Sequence, residues 1–263
     1  MIMTIKNIFR ELYHRFPISP QYRARQWVTK EYMAFARENL RYVFLSIARF
    51  AHINRPIEGY YFEFGSHEAN TMRLAWRHFR HLFNWDFVAF DSFEGLPEID
   101  DVDRQAIWSK GKLETREQDF VRIVTAAGMP RERLTTVKGF YDQTLTVELQ
   151  AKFLPRKAAV VYIDCDLYKS TVPVLHFIKP FLQVGTVIVF DDWNCFHGDP
   201  ERGERRAWRS LVRPIQSCVS WILSPQTRPR RSSASMPEAL RRRVPSEIAA
   251  CVFWIPNLST WRT

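Results

Sequence analysis

Acidic residues stand at the ends of short apolar runs in four places along this chain. Phe87 to Phe90 leads into Asp91, Ala158 to Ile163 into Asp164 and then Asp166, and Thr186 to Phe190 into the pair Asp191 and Asp192. A fourth run, Tyr60 to Phe64, carries Glu63 just before Gly65. A single acid after a strand is explained well enough as a helix cap favoured by the macrodipole. A set containing two aspartate pairs is different, because clustered like charges repel unless something compensates them. Oxygen donors with no His/Cys cluster suit a hard dication such as Mg²⁺, which takes octahedral oxygen ligands at about 2.0–2.1 Å. Asp164, Asp191 and Asp192 are the expected ligands. His197 follows the last pair, and imidazole as a residue type suits proton transfer near neutrality, although a lone loop histidine also serves as a surface or capping residue.

These acids converge only if the runs that carry them are parallel strands of one sheet. The expected strands are Tyr60 to Phe64, Phe87 to Phe90, Leu134 to Val137, Ala158 to Ile163 and Thr186 to Phe190, and amphipathic segments alternate with them. Met72, Ala75, Trp76, Phe79, Leu82 and Phe83 form one apolar helical stripe between the first two. Thr115 and Gln118 fit a capping box that opens a helix ending at Gly128, and Ser170 fits the cap of a helix containing Val174, Leu175, Ile178 and Phe181. Strands alternating with helices specify a mostly parallel α/β sheet with helices on both faces. In such sheets ligands bind beyond the carboxyl ends of the strands, where all the acids fall. Ahead of the first strand, Met33, Ala36, Leu40, Phe44, Ile47 and Phe50 recur at helical spacing, and this helix is expected to cover the sheet rather than act as a lid.

The turn after the first strand, Gly65-Ser66-His67-Glu68-Ala69-Asn70, lacks the G-x-G-x-x-G spacing that brings a helix N-terminus to a pyrophosphate. No phosphate-cradling loop with Lys followed by Ser or Thr is present. One glycine for close backbone approach, with Asp91 placed to accept ribose hydroxyls, fits a nucleoside cofactor without phosphates.

Longer runs carry a family resemblance. Tyr61-Phe62-Glu63-Phe64-Gly65, Phe90-Asp91-Ser92-Phe93-Glu94-Gly95-Leu96-Pro97-Glu98, Lys138-Gly139-Phe140, Tyr162-Ile163-Asp164-Cys165-Asp166-Leu167-Tyr168-Lys169-Ser170-Thr171 and Val189-Phe190-Asp191-Asp192-Trp193 stand in an order that resembles the macrocin O-methyltransferase family. The resemblance covers about residues 57 to 208 and implies a Rossmann-like class I fold that uses S-adenosylmethionine and Mg²⁺ to methylate a hydroxyl of a sugar-like or polyol acceptor. It implies Glu63 and Gly65 at the methionine end of the cofactor and Asp91 at the ribose. Ser92 and Phe93 would flank the nucleoside, with Gly139 and Phe140 near the adenine. Asp164, Asp191 and Asp192 would bind metal, and Asp166 would be the general base. Phe93 and Phe140 are equally well explained as core aromatics. The family also implies a sheet closed by an antiparallel hairpin, for which only Val219 to Leu223 and Ala249 to Ile255 offer strand-like sequence here.

Composition bounds the remaining readings. The 263 residues, 46% hydrophobic, support one enzyme-sized core. The division expected is a helical cap over 1–56, a cofactor-binding catalytic core over 57–208 and a basic segment over 209–263. That last segment reads as mobile between Pro225 and Pro245, and as either divergent or the product of a reading frame shifted after Trp208. The net charge of +10 raises an alternative, a non-catalytic basic protein holding RNA or a membrane surface on the same scaffold. The arginines are scattered or lie in the tail while the motif-bearing centre is acidic, so no nucleic acid partner is expected. Cys165, Cys195, Cys218 and Cys251 have neither zinc nor disulfide-framework spacing, which points to the cytoplasm. No membrane span is expected, and a homo-oligomer is compatible with the sequence.

Overall fold

A computed structural model describes residues 13, 19–53, 56–212, 219–222 and 250–254. The basic stretch between Pro225 and Pro245 lies outside the described residues, as does most of the 209–263 segment. Residues 1–43 and 44–263 form two compact units. In the first, α1 (Pro20–Trp27) opens with proline at its start and Ser19 as N-cap, whose hydroxyl accepts from the Tyr22 N–H at 3.0 Å. A π-turn, Val28–Tyr32, follows α1. Helix α2 (Met33–His52) gives its C-terminal half to the second unit.

The strands of the second unit are β1 (Tyr60–Phe64), β2 (Asp86–Asp91), β3 (Leu134–Lys138), β4 (Ala158–Ile163) and β5 (Val187–Phe190). Between them run α3 (Asn70–Phe79), α4 (Glu117–Ala126), the short α5 (Tyr141–Thr144) and α6 (Val147–Phe153), and α7 (Tyr168–Ile178); α8 (Gly203–Val212) follows β5. All neighbouring strands pair in parallel, in the order β3-β2-β1-β4-β5-β7-β6, where β6 is Val219–Ile222 and β7 is Ala250–Trp254. The two late strands form where strand-like sequence was noted, but the antiparallel closing hairpin is corrected: β7 runs parallel to both β5 and β6. Residues 223–249 separate the pair, enough for the crossover of a dozen or more residues that parallel neighbours require.

Alternation along β1 sorts the sheet into two chemically distinct faces. Phe62 and Phe64 point with Phe90, Val161, Ile163 and Phe190 into a core closed by Val174, Leu175, Phe177 and Ile178 of α7 and by Ala207 and Trp208 of α8. Phe62 is fully buried and meets Phe64, Phe90, Phe153 and Phe181 edge-on at 5.2–6.4 Å. On the opposite face, Tyr61, Glu63 and Tyr162 lie under Phe44 of α2 and Phe79 of α3. Helix α2 therefore covers the sheet from Phe44 onwards, with Ile47 and Ala51 fully buried.

Two helix starts differ from expectation. Helix α4 has Arg116 as N-cap with no side-chain hydrogen bond, and the Thr115 hydroxyl sits 3.2 Å from His67 Nδ1 instead. Helix α7 begins at Tyr168, so Ser170 lies inside its first turn, and Asp103 accepts from the Lys169 N–H at 3.2 Å. A cap supplied from 66 residues away carries no local sequence signal. Gly128 does follow α4 in the left-handed conformation that ends helices, at φ +89°.

The aromatic face yields a stability prediction. Phe62→Ala should cost about 3–5 kcal/mol, the usual penalty for emptying a packed phenylalanine site. Urea denaturation measures it; a loss below about 1 kcal/mol would mean that this cluster is not the centre of the core.

Candidate functional site

The ends of β2, β1, β4 and β5 are stitched together by backbone hydrogen bonds that continue past the strands. Gly65 N–H donates to Phe90 O at 3.0 Å, Asp164 N–H to Phe64 O at 2.8 Å, and Asp191 N–H to Ile163 O at 2.9 Å. Gly65 is required for this approach. Its φ is +84°, and a Cβ built there would stand 1.8 Å from Asp164 O.

Asp91 organises the turns on the β2 side. One carboxylate oxygen accepts from the Ser66 and His67 N–H groups at 2.7 and 3.2 Å, and the other from the Phe93 N–H at 2.6 Å. An ionised carboxylate has about four acceptor sites, so three backbone bonds leave it capacity for a ligand hydroxyl. Gly139 lies beside it, donating to Asp91 O at 2.9 Å, and Phe140 after it is half-buried. Ser92 closes its own turn, accepting from Glu94 N–H and donating to Gly95 O at 2.7 Å. Phe93 is buried and packs at 5.5 Å on Phe120 of α4, the core role that sequence left open for it.

Three acids come together at the β4 and β5 ends. Asp164, Asp191 and Asp192 each offer an oxygen within 4.8 Å of the others. Two ionised carboxylates at that spacing repel by about 3 kcal/mol at an effective dielectric of about 20. The Asp164 carboxyl is accordingly pushed well above the ordinary range, first by burial and then by Asp191, Asp192, Asp166 and Glu204. The buried Tyr162 hydroxyl fixes Asp191, donating to Oδ1 at 2.6 Å.

Asp166 is buried in the left-handed region at φ +57°, a conformation aspartate tolerates better than most residues. Its backbone N–H donates to Asp192 Oδ2 at 3.1 Å, and Asp166, Asp192 and Cys195 form a second group of donor atoms within 4.8 Å. Cys195 Sγ also donates to Asp192 Oδ1 at 3.1 Å. His197 is exposed on the turn after β5 at φ +56°, and belongs to neither group.

Glu63 sits behind the rim, fully buried, with its oxygens taking the Tyr61 hydroxyl at 2.7 Å and the Thr71 hydroxyl at 2.9 Å. Burial pushes its carboxyl from 4.5 up to about 8, against the pull of those hydrogen bonds.

Sequence reasoning missed Tyr162, Cys195 and above all Glu204. Glu204 lies in the first turn of α8, 1% exposed, with no hydrogen-bond partner on either oxygen. Burial raises its carboxyl, followed by Asp192, Asp191 and Asp166, and the nearby Cys165 backbone N–H pulls the other way. A signal was present. Glu204, Ala207, Trp208 and Leu211 recur at i, i+3, i+4 and i+7, so this acid occupies an apolar-stripe position.

The sequence model of the macrocin-O-methyltransferase (TylF) family matches residues 71–219. The 8-demethyl-8-(2,3-dimethoxy-alpha-L-rhamnosyl)-tetracenomycin-C 4'-O-methyltransferase of Streptomyces olivaceus is 29% identical over 115 residues, 39% of this chain and 40% of that protein. The match thus spans less than half of that curated relative. Two solved structures share the fold: the calicheamicin methyltransferase CalS11, at TM-score 0.58 and 20% identity over 81% of this chain and 86% of that one, and the O-methyltransferase NovP, at TM-score 0.52 and 19% identity over 66% and 72%.

Glu63 makes stability depend on pH with a defined sign. The native state keeps its proton where the unfolded chain has lost it, so this contribution is full below pH 4.5 and is lost as pH rises through about 8. Urea unfolding of the wild-type chain and Glu63→Gln at pH 5, 6.5 and 8, all in EDTA, should show the wild type losing stability relative to the variant as pH rises. Parallel pH profiles would mean that Glu63 ionises normally.

Proposed function

Because this chain belongs to the macrocin-O-methyltransferase family, we propose that it transfers the methyl group of S-adenosylmethionine to a hydroxyl of a small glycosylated or polyol-like acceptor, with a divalent cation, Mg²⁺ by its donor set, at the Asp164/Asp191/Asp192 cluster. The observation that carries the reading is the meeting of three carboxylates from two adjacent strand ends, within 4.8 Å, beside the Gly65 turn. The Streptomyces olivaceus relative, a 4'-O-methyltransferase of a rhamnosyl-tetracenomycin, supports a sugar hydroxyl as acceptor.

The residues fit both groups. For the cofactor, Asp91 has acceptor capacity beyond its three backbone bonds, while Gly65 leaves no room for a side chain. Glu63 and Gly65 would face the methionine end, Asp91 the ribose, and Ser92, Phe93, Gly139 and Phe140 the nucleoside. S-adenosylmethionine supplies an already activated methyl sulfonium. For the metal, the all-oxygen set suits a hard dication, whose charge would offset both the burial and the neighbouring acids that push the Asp164 carboxyl up. The dication supplies Lewis acidity, which lowers the pKa of a coordinated hydroxyl.

The protein's own contribution is then alignment and proton removal. Rigid strand ends hold the acceptor side and the cofactor side of the site in register, and alignment of this kind contributes up to roughly 7–11 kcal/mol to such transfers. Asp166 is the base that takes the hydroxyl proton as the oxygen–methyl bond forms and the sulfur–methyl bond breaks, with S-adenosylhomocysteine leaving as the neutral thioether. Its backbone N–H bond to Asp192 keeps it next to the cation ligands. His197 is the second candidate for proton transfer, on the exposed side of the same loop region.

Calorimetry separates the roles. The wild-type chain should bind S-adenosylhomocysteine and Mg²⁺, whereas Asp164→Ala and Asp191→Ala should keep the nucleoside and lose the metal. Asp166→Asn should keep both ligands and lose about 10²-fold or more in kcat. Undiminished turnover of a glycosylated acceptor in EDTA would reject the metal assignment.

A further inference from the structure

Glu204 is placed at a cost that its helix does not explain. Its neighbours on the α8 stripe, Ala207 and Trp208, are buried in the core, so an apolar residue would pack at this position. Instead a carboxylate is 99% out of water with neither oxygen hydrogen-bonded. A buried group left in that state normally costs about 1–3 kcal/mol, and more when charged. The surrounding arginines do other work: Arg202 donates to Val102 O and Arg104 O, and Arg205 to Trp193 O and Asn194 Oδ1. The charges that Glu204 feels most are those of Asp192, Asp191 and Asp166, which only adds repulsion.

Resting on the cation reading above, we propose that Glu204 is a further carboxylate of the metal centre, acting from behind Asp192 through the cation's hydration shell rather than as a direct ligand. Two observations fix that division. Glu204 belongs to neither group of donor atoms lying within 4.8 Å of one another, so it stands beyond shared direct ligation. Its two free oxygens in a buried acidic environment call for a hydrogen-bond donor and positive charge together. Water alone supplies the first; hydrated Mg²⁺, which keeps several of its waters when bound to protein, supplies both. Outer-shell groups of this kind typically change metal affinity 10–100-fold.

The test titrates MgCl₂ into the full-length chain and into Glu204→Gln, each saturated with S-adenosylhomocysteine, and follows thermal unfolding of both in EDTA and in MgCl₂. Glu204→Gln should bind Mg²⁺ at least about tenfold more weakly, unfold in EDTA at the wild-type temperature or above it, and gain less from Mg²⁺. Glu204→Asp keeps the charge but withdraws it by one methylene, and should weaken Mg²⁺ binding less. Equal Mg²⁺ affinity in wild type and Glu204→Gln would overturn the proposal while leaving the three-aspartate site standing. A Glu204→Gln variant less stable than wild type in EDTA would assign the residue to packing and overturn it as well. A wild-type chain that binds S-adenosylhomocysteine but takes up no Mg²⁺ would remove the cation centre and this inference with it.

Discussion

Acidic groups crowded at one rim of the sheet are the constraint around which this fold is arranged. Asp164, Asp191 and Asp192 meet at adjacent strand ends, Asp166 donates its backbone to Asp192, and Glu204 reaches the same region from α8. Each pair, where both partners are ionised, costs about 3 kcal/mol at an effective dielectric of about 20. Stability of the whole domain is of order 5–15 kcal/mol, so the cluster persists only because the scaffold over-determines it. That over-determination is visible in the backbone hydrogen bonds running from Gly65, Asp164 and Asp191 into the neighbouring strands, which fix the backbone that carries the acids.

The two faces of the sheet divide this labour. The phenylalanine face, closed by α7 and α8, is mainly apolar packing, and the Tyr60 and Tyr141 hydroxyls at its margin donate to backbone carbonyls rather than to acids. The opposite face carries hydroxyls within its aromatic packing: Tyr61 holds Glu63, and Tyr162 holds Asp191. Both phenols are buried, with their own pKa values raised well above the ordinary range by burial first, so each remains a donor at any physiological pH. A period of two along one strand thereby places core packing on one side and hydrogen-bond control of the acids on the other.

Much of this was legible because strand-end acids are a local pattern with a non-local consequence. The limits of β1 and β4 agree with the apolar runs, and β2 extends only to include Asp86 and Asp91. Parallel pairing then forces Asp164 and the Asp191/Asp192 pair to the same rim. Caps were less legible. Ser170 and Thr115 have the right chemistry at the wrong places, since α7 takes its cap from Asp103, across the sequence. The closing strands show the opposite failure: their positions were readable as strand-like sequence, but the parallel direction of β7 carries no local signal.

Glu204 shows why a charged residue on a helix is easily discounted. The run Gly203-Glu204-Arg205-Arg206 reads as a solvated helix start, and three of those four residues are polar in the way a surface is. Phase along the helix says otherwise, because the residues three, four and seven positions on are Ala207, Trp208 and Leu211, which join the core. An acid in phase with a buried stripe must be neutralised, hydrogen-bonded or counter-charged. Beside four other carboxyl groups, neutralising one acid by a proton still leaves its neighbours to repel. A shared dication, as proposed, would relieve all of them at once, which would give Glu204 and the three aspartates one cause rather than four.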